Sequence, residues 1–196
     1  SQTWNDIVGF IVHQALLVPY FPWQYTHAKH HRRTNHLMDG ESHVPSTAQE
    51  NGLGDHLERH SFYAAWHEAM GDGAFAAVQI VTHLVVGWPL YLLGLASTGK
   101  LKYDGTPLNG AIADHFRPYS PMFNPKVSWK VMLSSIAEFV GIAALIYAGF
   151  QFGHLNVFLW YWCPYMVVNG WLVLYTWLQH TDPSIPHYGE GEWTWV

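Results

Sequence analysis

Two apolar runs predict the fold: VMLSSIAEFVGIAALIYAGF at residues 131–150 and LNVFLWYWCPYMVVNGWLVLYTWL at residues 155–178. Each run is apolar over about the 20 residues that a helix needs to cross a bilayer. Only residues 151–154 separate the two runs. Two helices joined by so short a connection pack antiparallel, so the sequence predicts a transmembrane hairpin.

The rest of the chain alternates between apolar and polar segments. Charged residues make up 12% of the 196 residues, against roughly 25% in a typical soluble domain. Residues 5–21 are apolar but short and contain Pro19, which predicts a buried or re-entrant segment. Residues 73–95 are apolar again, whereas residues 24–72 and 96–130 are polar. The pattern predicts an all-α integral membrane protein.

Basic residues predict the orientation in the membrane. All nine Lys and Arg lie between Lys29 and Lys130, in the two polar segments. Basic residues mark cytoplasmic loops, so both segments are expected on the cytoplasmic side. Residues 73–95 then cannot cross the membrane once, and we expect a re-entrant or interfacial helix with a break at Trp88-Pro89. The predicted fold is one transmembrane hairpin, re-entrant or interfacial helices and a cytoplasmic His-rich cap.

Composition and motifs exclude several functions. The net charge is −5 and there is no basic tail, which argues against nucleic-acid binding. The chain has no dinucleotide fingerprint, P-loop, nucleophile elbow or H-E-x-x-H motif. Its 14 histidines are unusually many for this length, which directs attention to metal binding.

One histidine cluster has the spacing of a metal site. His27, His30 and His31 read H-x-x-H-H, and positions i, i+3 and i+4 share one face of a helix. Imidazole nitrogens suit Fe, Zn, Cu and Ni. The alternative is a run of solvated histidines in a basic loop. Because the cluster follows an apolar segment in a His-rich chain, we favour the metal interpretation.

A fourth ligand is predicted at the end of the hairpin. The second apolar run returns the chain to the cytoplasmic side at His180, the side expected for the cluster. The alternative is an interfacial histidine at a helix C-terminus, which the helix dipole favours. His36, His187 and Asp182 are candidate partners that orient the ligands by hydrogen bonds, and each has a solvated alternative.

The other histidines are not expected to bind metal. Three lie in or beside apolar runs and are interpreted as packing or interfacial residues: His13, His83 and His154. Five are interpreted as solvated: His43, His56, His60, His67 and His115.

Several stretches, in order along nearly the whole chain, resemble the membrane-bound fatty-acid desaturase family, and the fungal type of delta-12 (oleate) desaturase most closely. They are ALLVPYF at 15–21, HAKHH at 27–31, TNH at 34–36, GWPLY at 87–91, HFRP at 115–118, SPMF at 120–123, LQHTDP at 178–183, PHY at 186–188 and EWTW at 192–195. The resemblance is far more specific than H-x-x-H-H alone. It implies that residues 27–31 are the family's second histidine box.

The resemblance implies an enzyme with two non-haem iron ions. Such enzymes use O2 and electrons from cytochrome b5 to insert a cis double bond into a fatty-acyl group carried on phospholipid or CoA. The expected location is the endoplasmic reticulum membrane, multi-pass, with the cluster facing the cytoplasm. The expected iron ligands are His27, His30, His31 and His180.

Two features of the family pattern are absent. The first box, expected before Ser1, and the third box, expected beyond Val196, are missing. Residues 1–196 are therefore interpreted as a partial desaturase domain, from the second box to the region after the last hairpin, and expected to be inactive alone. Other functions stay open: an omega-3 desaturase, an acyl hydroxylase, a conjugase or a non-catalytic lipid-binding fragment. Residues 39–45 also depart from the family pattern, so the bond position stays open.

Overall fold

The computed structural model describes residues 1–45, 62–96, 98–182 and 184–194. Over these ranges the chain is helical and has no β-strand, only isolated β-bridges between loops. The helices are α1 (Gln2–Ala15), α2 (Tyr20–Arg32), α3 (Phe62–Leu92), α4 (Ser128–Phe152), α5 (His154–Val157) and α6 (Cys163–His180). A 3-10 turn, Pro125–Val127, precedes α4, and a π-helical turn, Phe158–Trp162, joins α5 to α6. The predicted all-α class is confirmed.

Both apolar runs of the predicted hairpin form helices, and these pack mainly on other elements, α4 on α1 and α2 and α6 on α3. Pro125–Phe152 and His154–His180 are 28 and 27 residues long and apolar enough to cross a membrane. Gly153 lies between them with φ +91°, a conformation that a side chain would strain. The π-helical turn lies just before Pro164, near the start of α6. Local π geometry is one way in which a membrane helix accommodates proline.

The third apolar segment differs from its prediction. Ala65–Leu92 is a helix of 28 residues that is also long and apolar enough to span a membrane. The expected break at Trp88-Pro89 is wrong, since the non-helical residue within α3 is Gly71. Trp88 and Leu92 are buried against Val18. This packing holds the helix together across the proline.

Residues 5–21 form more than one element. No residue of α1 is buried, so the predicted buried segment is wrong for this helix and holds for the turn at residues 17–20. The apolar side chains of α1 are exposed along one stripe: Trp4, Ile7, Val8, Ile11 and Val12. This spacing is typical of a helix that lies on a membrane surface with its apolar face in lipid.

The two basic polar segments pack against each other. Ser42 forms a β-bridge with Thr98, and the Tyr25 ring packs edge-on against Phe123 at 5.7 Å. A core of Leu108, Ala113, Met122, Phe123 and Val131 lies between the 96–124 loop and α4. Residues 24–45 and 98–124 therefore lie at one end of the molecule, where α2 carries the histidine cluster.

Candidate metal centre

Helix α2 presents the H-x-x-H-H cluster on one face. Pro19, in an extended conformation, precedes its first turn. Proline is tolerated there because the first N–H groups of a helix have no intrahelical acceptor. The last turn carries four basic residues, Lys29 to Arg32, which the negative end of the helix dipole favours.

Two of the clustered histidines already converge. The Nε2 atoms of His27 and His31 are 3.0 Å apart, one helical turn from each other. The His27 ring stacks on Trp23 with centroids 4.2 Å apart, which fixes its plane. The convergence follows directly from the i, i+4 spacing within α2.

The third histidine faces the other helix. The ring of His30 lies 4.8 Å from that of His180 between centroids. The Nδ1 atom of His30 is 3.1 Å from Ser42 Oγ, which leaves Nε2 free for a ligand. The structure thus brings His180, from the end of α6, to the cluster on α2, as the sequence predicted.

Burial favours the neutral form of His27 and His30. It lowers the pKa of His27, with a smaller contribution from His31. It also lowers the pKa of His30 to about 4, with the neighbouring His180 adding to the effect. Neutral imidazole is the form that binds a metal ion, so burial favours the metal-binding form of these two histidines.

The cluster lies at the wall of a large cavity. The cavity has a volume of about 690 Å³, within the range of small-molecule sites. Its histidine side is formed by His27, His30, His31 and His180. Its apolar side is lined by Trp23, Trp88, Leu172, Val173 and Trp177. An apolar ligand can therefore lie directly beside the imidazoles.

The residues present fit part of a metal site. Two nitrogens bound at right angles, about 2.1 Å from one metal ion, are about 3.0 Å apart, the separation of the His27 and His31 nitrogens. Within the described ranges, however, no group of three or more His, Cys, Asp or Glu has the arrangement of a complete metal site. The fit to a metal ion thus rests on the His27–His31 pair and on the imidazole nitrogens of the four histidines, which are donors that iron accepts.

The predicted orienting residues have different surroundings. His36 is buried, and its Nδ1 accepts hydrogen bonds from the backbone N–H groups of Met38 and Asp39. Its Nε2 lies 3.3 Å from a Glu190 carboxylate oxygen. His36 therefore supports the turn after α2, and it does not line the cavity.

His187 and Asp182 do line the cavity. Asp182 accepts hydrogen bonds from the backbone N–H and hydroxyl of Ser184. The orienting roles of His36, His187 and Asp182, like the metal-binding roles of the four clustered histidines, stay predictions.

Two histidines that the sequence suggested were solvated are not. His115 is fully buried, with Nε2 3.1 Å from Thr26 Oγ1. His43 lines the cavity and stacks on His180 with centroids 5.0 Å apart. Both interpretations are wrong, because burial here comes from contacts between segments far apart in the chain. His56 and His60 lie outside the described residues, and His67 is partly exposed beside Asp72.

The three histidines interpreted as packing residues do contact aromatic rings. His83 stacks on Trp177 at 4.7 Å, and it lines the cavity. His13 packs on Tyr20, and His154 on Phe150. The part of His83 in the cavity wall was not foreseen. The sequence contained a signal for this position of His83: it lies one helical turn before Gly87, the first residue of a stretch that resembles the family.

Fold and site define a class: a helical membrane protein with a histidine cluster beside an apolar cavity. Three relatives are similar over almost the whole chain. A delta-12 fatty acid desaturase of Mortierella alpina is 38% identical over 98% of this chain and 47% of its own length. An oleate hydroxylase of Claviceps purpurea is 35% identical over 98% of this chain and 41% of its own. An omega-6 fatty acid desaturase, endoplasmic reticulum isozyme 2, of Glycine max is 34% identical over 100% and 46%.

Over almost its whole length the chain is thus homologous to delta-12 fatty acid desaturases and related hydroxylases. It spans about half the length of the curated relatives it matches. No family model matches the chain. No solved structure matches it either.

Proposed function

We propose that this chain is the central part of an O2-dependent fatty-acyl desaturase with a non-haem di-iron centre. The proposed reaction introduces a cis double bond at the delta-12 position, converting oleoyl to linoleoyl groups. The observation that carries the proposal is the meeting of His30 from α2 with His180 from α6 at the wall of an apolar cavity. Similarity to relatives named delta-12 desaturases supports the choice of reaction.

The chemistry requires a metal centre. Acid–base side chains cannot break an unactivated C–H bond, and the bound iron ions would supply the oxidising power with O2. His27, His30, His31 and His180 would hold the metal through neutral imidazole nitrogens. They are donors of the type that iron accepts.

The cavity would bind the acyl chain. Its apolar wall, with Trp88 and Trp177, lies next to the imidazoles. An extended hydrocarbon in this space would place its methylene groups beside the metal-binding nitrogens. The same apolar side chains would exclude water from the reacting carbons.

The chain alone is proposed to be inactive. Four histidines do not complete two iron sites with open positions for O2. The missing ligands would come from the two further histidine boxes that the family resemblance implies, in a longer protein that carries this chain. Chain 1–196 expressed alone, with a reductase and oleate, is expected to yield no linoleate, and its appearance in gas chromatography would contradict this.

The proposed location is the endoplasmic reticulum membrane, with the cluster facing the cytoplasm. The name of the soybean relative includes that compartment. Residues 24–45 and 98–124, which carry most of the basic side chains, lie together at the cluster's end of the molecule, and this supports a cytoplasmic side for the cluster. Cytochrome b5 is the proposed electron donor, and a fatty-acyl phospholipid or acyl-CoA is the proposed substrate, both on family resemblance.

The test is product analysis in a yeast host that makes oleate but no linoleate. The full-length protein carrying this chain is expected to produce linoleate, measured by gas chromatography. His30→Ala and His180→Ala should abolish the product. His154→Gln, at an exposed histidine in the hairpin turn, should retain it. Absence of a diene from the unaltered protein would contradict the proposal, as would full activity of His30→Ala.

A hydroxylase is the second candidate. The oleate hydroxylase of Claviceps purpurea is 35% identical over 98% of the chain. The same host and the same chromatography distinguish the two reactions. A hydroxylated C18 acid in place of linoleate would favour the hydroxylase.

A further inference from the structure

One turn contacts both histidine-bearing helices of the candidate centre. We define residues 39–45 as the supporting turn. It follows α2, and its side chains Ser42, His43, Val44 and Pro45 line the cavity. Its sequence also departs from the family pattern, so its role does not follow from the resemblance.

The supporting turn is fixed in place from two sides. Glu41 is buried, and its carboxylate lies 3.2 Å from Lys29 Nζ on α2. On the other side, Ser42 forms the bridge with Thr98. A Cβ on Gly99 would lie 2.7 Å from the carbonyl oxygen of Gly40, so the two backbones touch where glycine allows it. The turn is therefore held by contacts that do not involve the histidines.

Ser42 contacts His30. Its Oγ lies 3.1 Å from His30 Nδ1. If Nε2 of His30 binds a metal ion, Nδ1 carries the ring hydrogen and donates it to Ser42 Oγ. Such hydrogen bonds fix the tautomer and ring plane of metal-binding histidines.

His43 contacts His180. The two rings are nearly parallel, 18° apart, with centroids 5.0 Å apart. His43 has φ +56°, a left-handed conformation that is uncommon for residues with a side chain. Side chains alternate between faces along extended backbone, and the left-handed residue breaks that alternation. Ser42 and His43 can thus both face the cavity.

His43 is costly if its only role is to fill space. Besides its backbone conformation, its Nδ1 is buried and has no hydrogen-bond partner among the described residues. Glycine or asparagine would fit such a turn with less strain. Strained, incompletely satisfied residues of this kind concentrate at functional sites.

We propose that the supporting turn positions the metal centre, with Ser42 orienting His30 by a hydrogen bond and His43 holding the His180 ring by stacking. This inference rests on the proposed function, because it concerns the same centre. Ser42 and His43 are positioning residues that act through His30 and His180. Because Ser42 and His43 are adjacent in the chain, the supporting turn links His30 of α2 to His180 of α6.

The test is metal binding by the full-length protein that carries this chain. The protein is purified in detergent, stripped with a chelator and titrated with Co2+, whose absorption reports binding. Ser42→Ala and His43→Asn should each weaken Co2+ binding by about 10- to 100-fold, as the loss of an orienting partner typically does. Ser42→Thr, which keeps the hydroxyl, and His43→Phe, which keeps a ring, should bind close to the unaltered protein.

Controls separate positioning from folding. Asn109 also has a positive φ, +48°, but it does not line the cavity, so Asn109→Ala should leave Co2+ binding unchanged. The metal-free variants should unfold at a temperature no lower than that of the unaltered protein. Weak Co2+ binding that comes with a lower unfolding temperature in the metal-free state would overturn the positioning role.

The remaining outcomes identify which proposal fails. If the unaltered protein binds neither Co2+ nor iron, the proposed function is wrong and this inference falls with it. If it binds Co2+ and Ser42→Ala binds equally tightly, only this inference is wrong for Ser42. If His43→Phe loses as much affinity as His43→Asn, a nitrogen of His43 is required and the stacking role is wrong.

Discussion

Acidification is expected to destabilise the protein through His115. Its side chain is fully buried between Tyr91 and Phe123. Nε2 faces Thr26 Oγ1, and Nδ1 has no hydrogen-bond partner within the part of the chain that the structure describes. Burial lowers the pKa of His115 from 6.5 to about 4. The neighbouring Asp114 carboxylate favours the charged ring, but the effect of burial is larger, so the folded state favours the neutral form.

The direction and size of this loss of stability follow from the linkage between proton binding and folding. Because the folded-state pKa of His115 is lower than the unfolded value, the unfolded chain binds more protons as the pH falls below 6.5. The stability contributed by neutral His115 is therefore present above that pH and lost toward pH 4. Between pH 7 and pH 5 the loss is about 2 kcal/mol. For a chain of this size it lowers the unfolding temperature by about 4–8 °C.

The assay compares thermal unfolding of the unaltered protein and His115→Gln in detergent at pH 7 and pH 5. Glutamine can still donate a hydrogen bond to Thr26 Oγ1, but it does not titrate. Other buried histidines with lowered pKa values, such as His30 and His43, titrate in both proteins and cancel in the comparison. His115→Gln should therefore lose less stability on acidification, by about the stated amount. An equal decrease in both proteins would refute the reasoning.

Three further outcomes follow from the packing and charges of the described residues. Trp88→Ala should destabilise the protein by about 3–5 kcal/mol in thermal unfolding, because Trp88 is buried. Its control is Trp160→Ala, at a side chain 83% exposed in the hairpin, which should have little effect in the same assay. Burial raises the pKa of Glu41 to about 7, so its stabilising protonated form is lost as the pH rises through 7. On going from pH 5 to pH 8, the unfolding temperature of Glu41→Gln should therefore shift upward relative to that of the unaltered protein, and an equal change in both proteins would contradict this. Asp114→Asn should cost about 1–3 kcal/mol in denaturant unfolding, since its carboxylate accepts two backbone N–H bonds and pairs with Arg117; a loss below the error of the assay would contradict it.

The hairpin was predictable because its signal is local. The length and the hydropathy of the two apolar runs in residues 131–178 predict two spanning helices, and no information about tertiary contacts is needed. The common face of His27 and His31 also follows from helical spacing alone. The approach of His180 was predictable from the distribution of basic residues, which placed both ends of the site on one side of the membrane.

The rest depends on contacts between distant segments. The helix continues through Pro89 because Trp88 and Leu92 pack on Val18, about 70 residues earlier in the chain. His115 is buried by contacts with α2 and α3, and nothing in its neighbouring sequence indicates this. The supporting turn reaches the cavity because Ser42 pairs with Thr98, a pairing that single-sequence patterns do not reveal.

The central claim is that His27, His30, His31 and His180 help to hold two iron ions. The most direct measurement is the iron content of the purified full-length protein, by mass spectrometry of the metal, for the unaltered protein, His30→Ala and His154→Gln. We predict two iron ions per chain in the unaltered protein and in His154→Gln, and a loss of iron from His30→Ala. An iron-free unaltered protein, or a His30→Ala variant with its full iron content, would contradict the account.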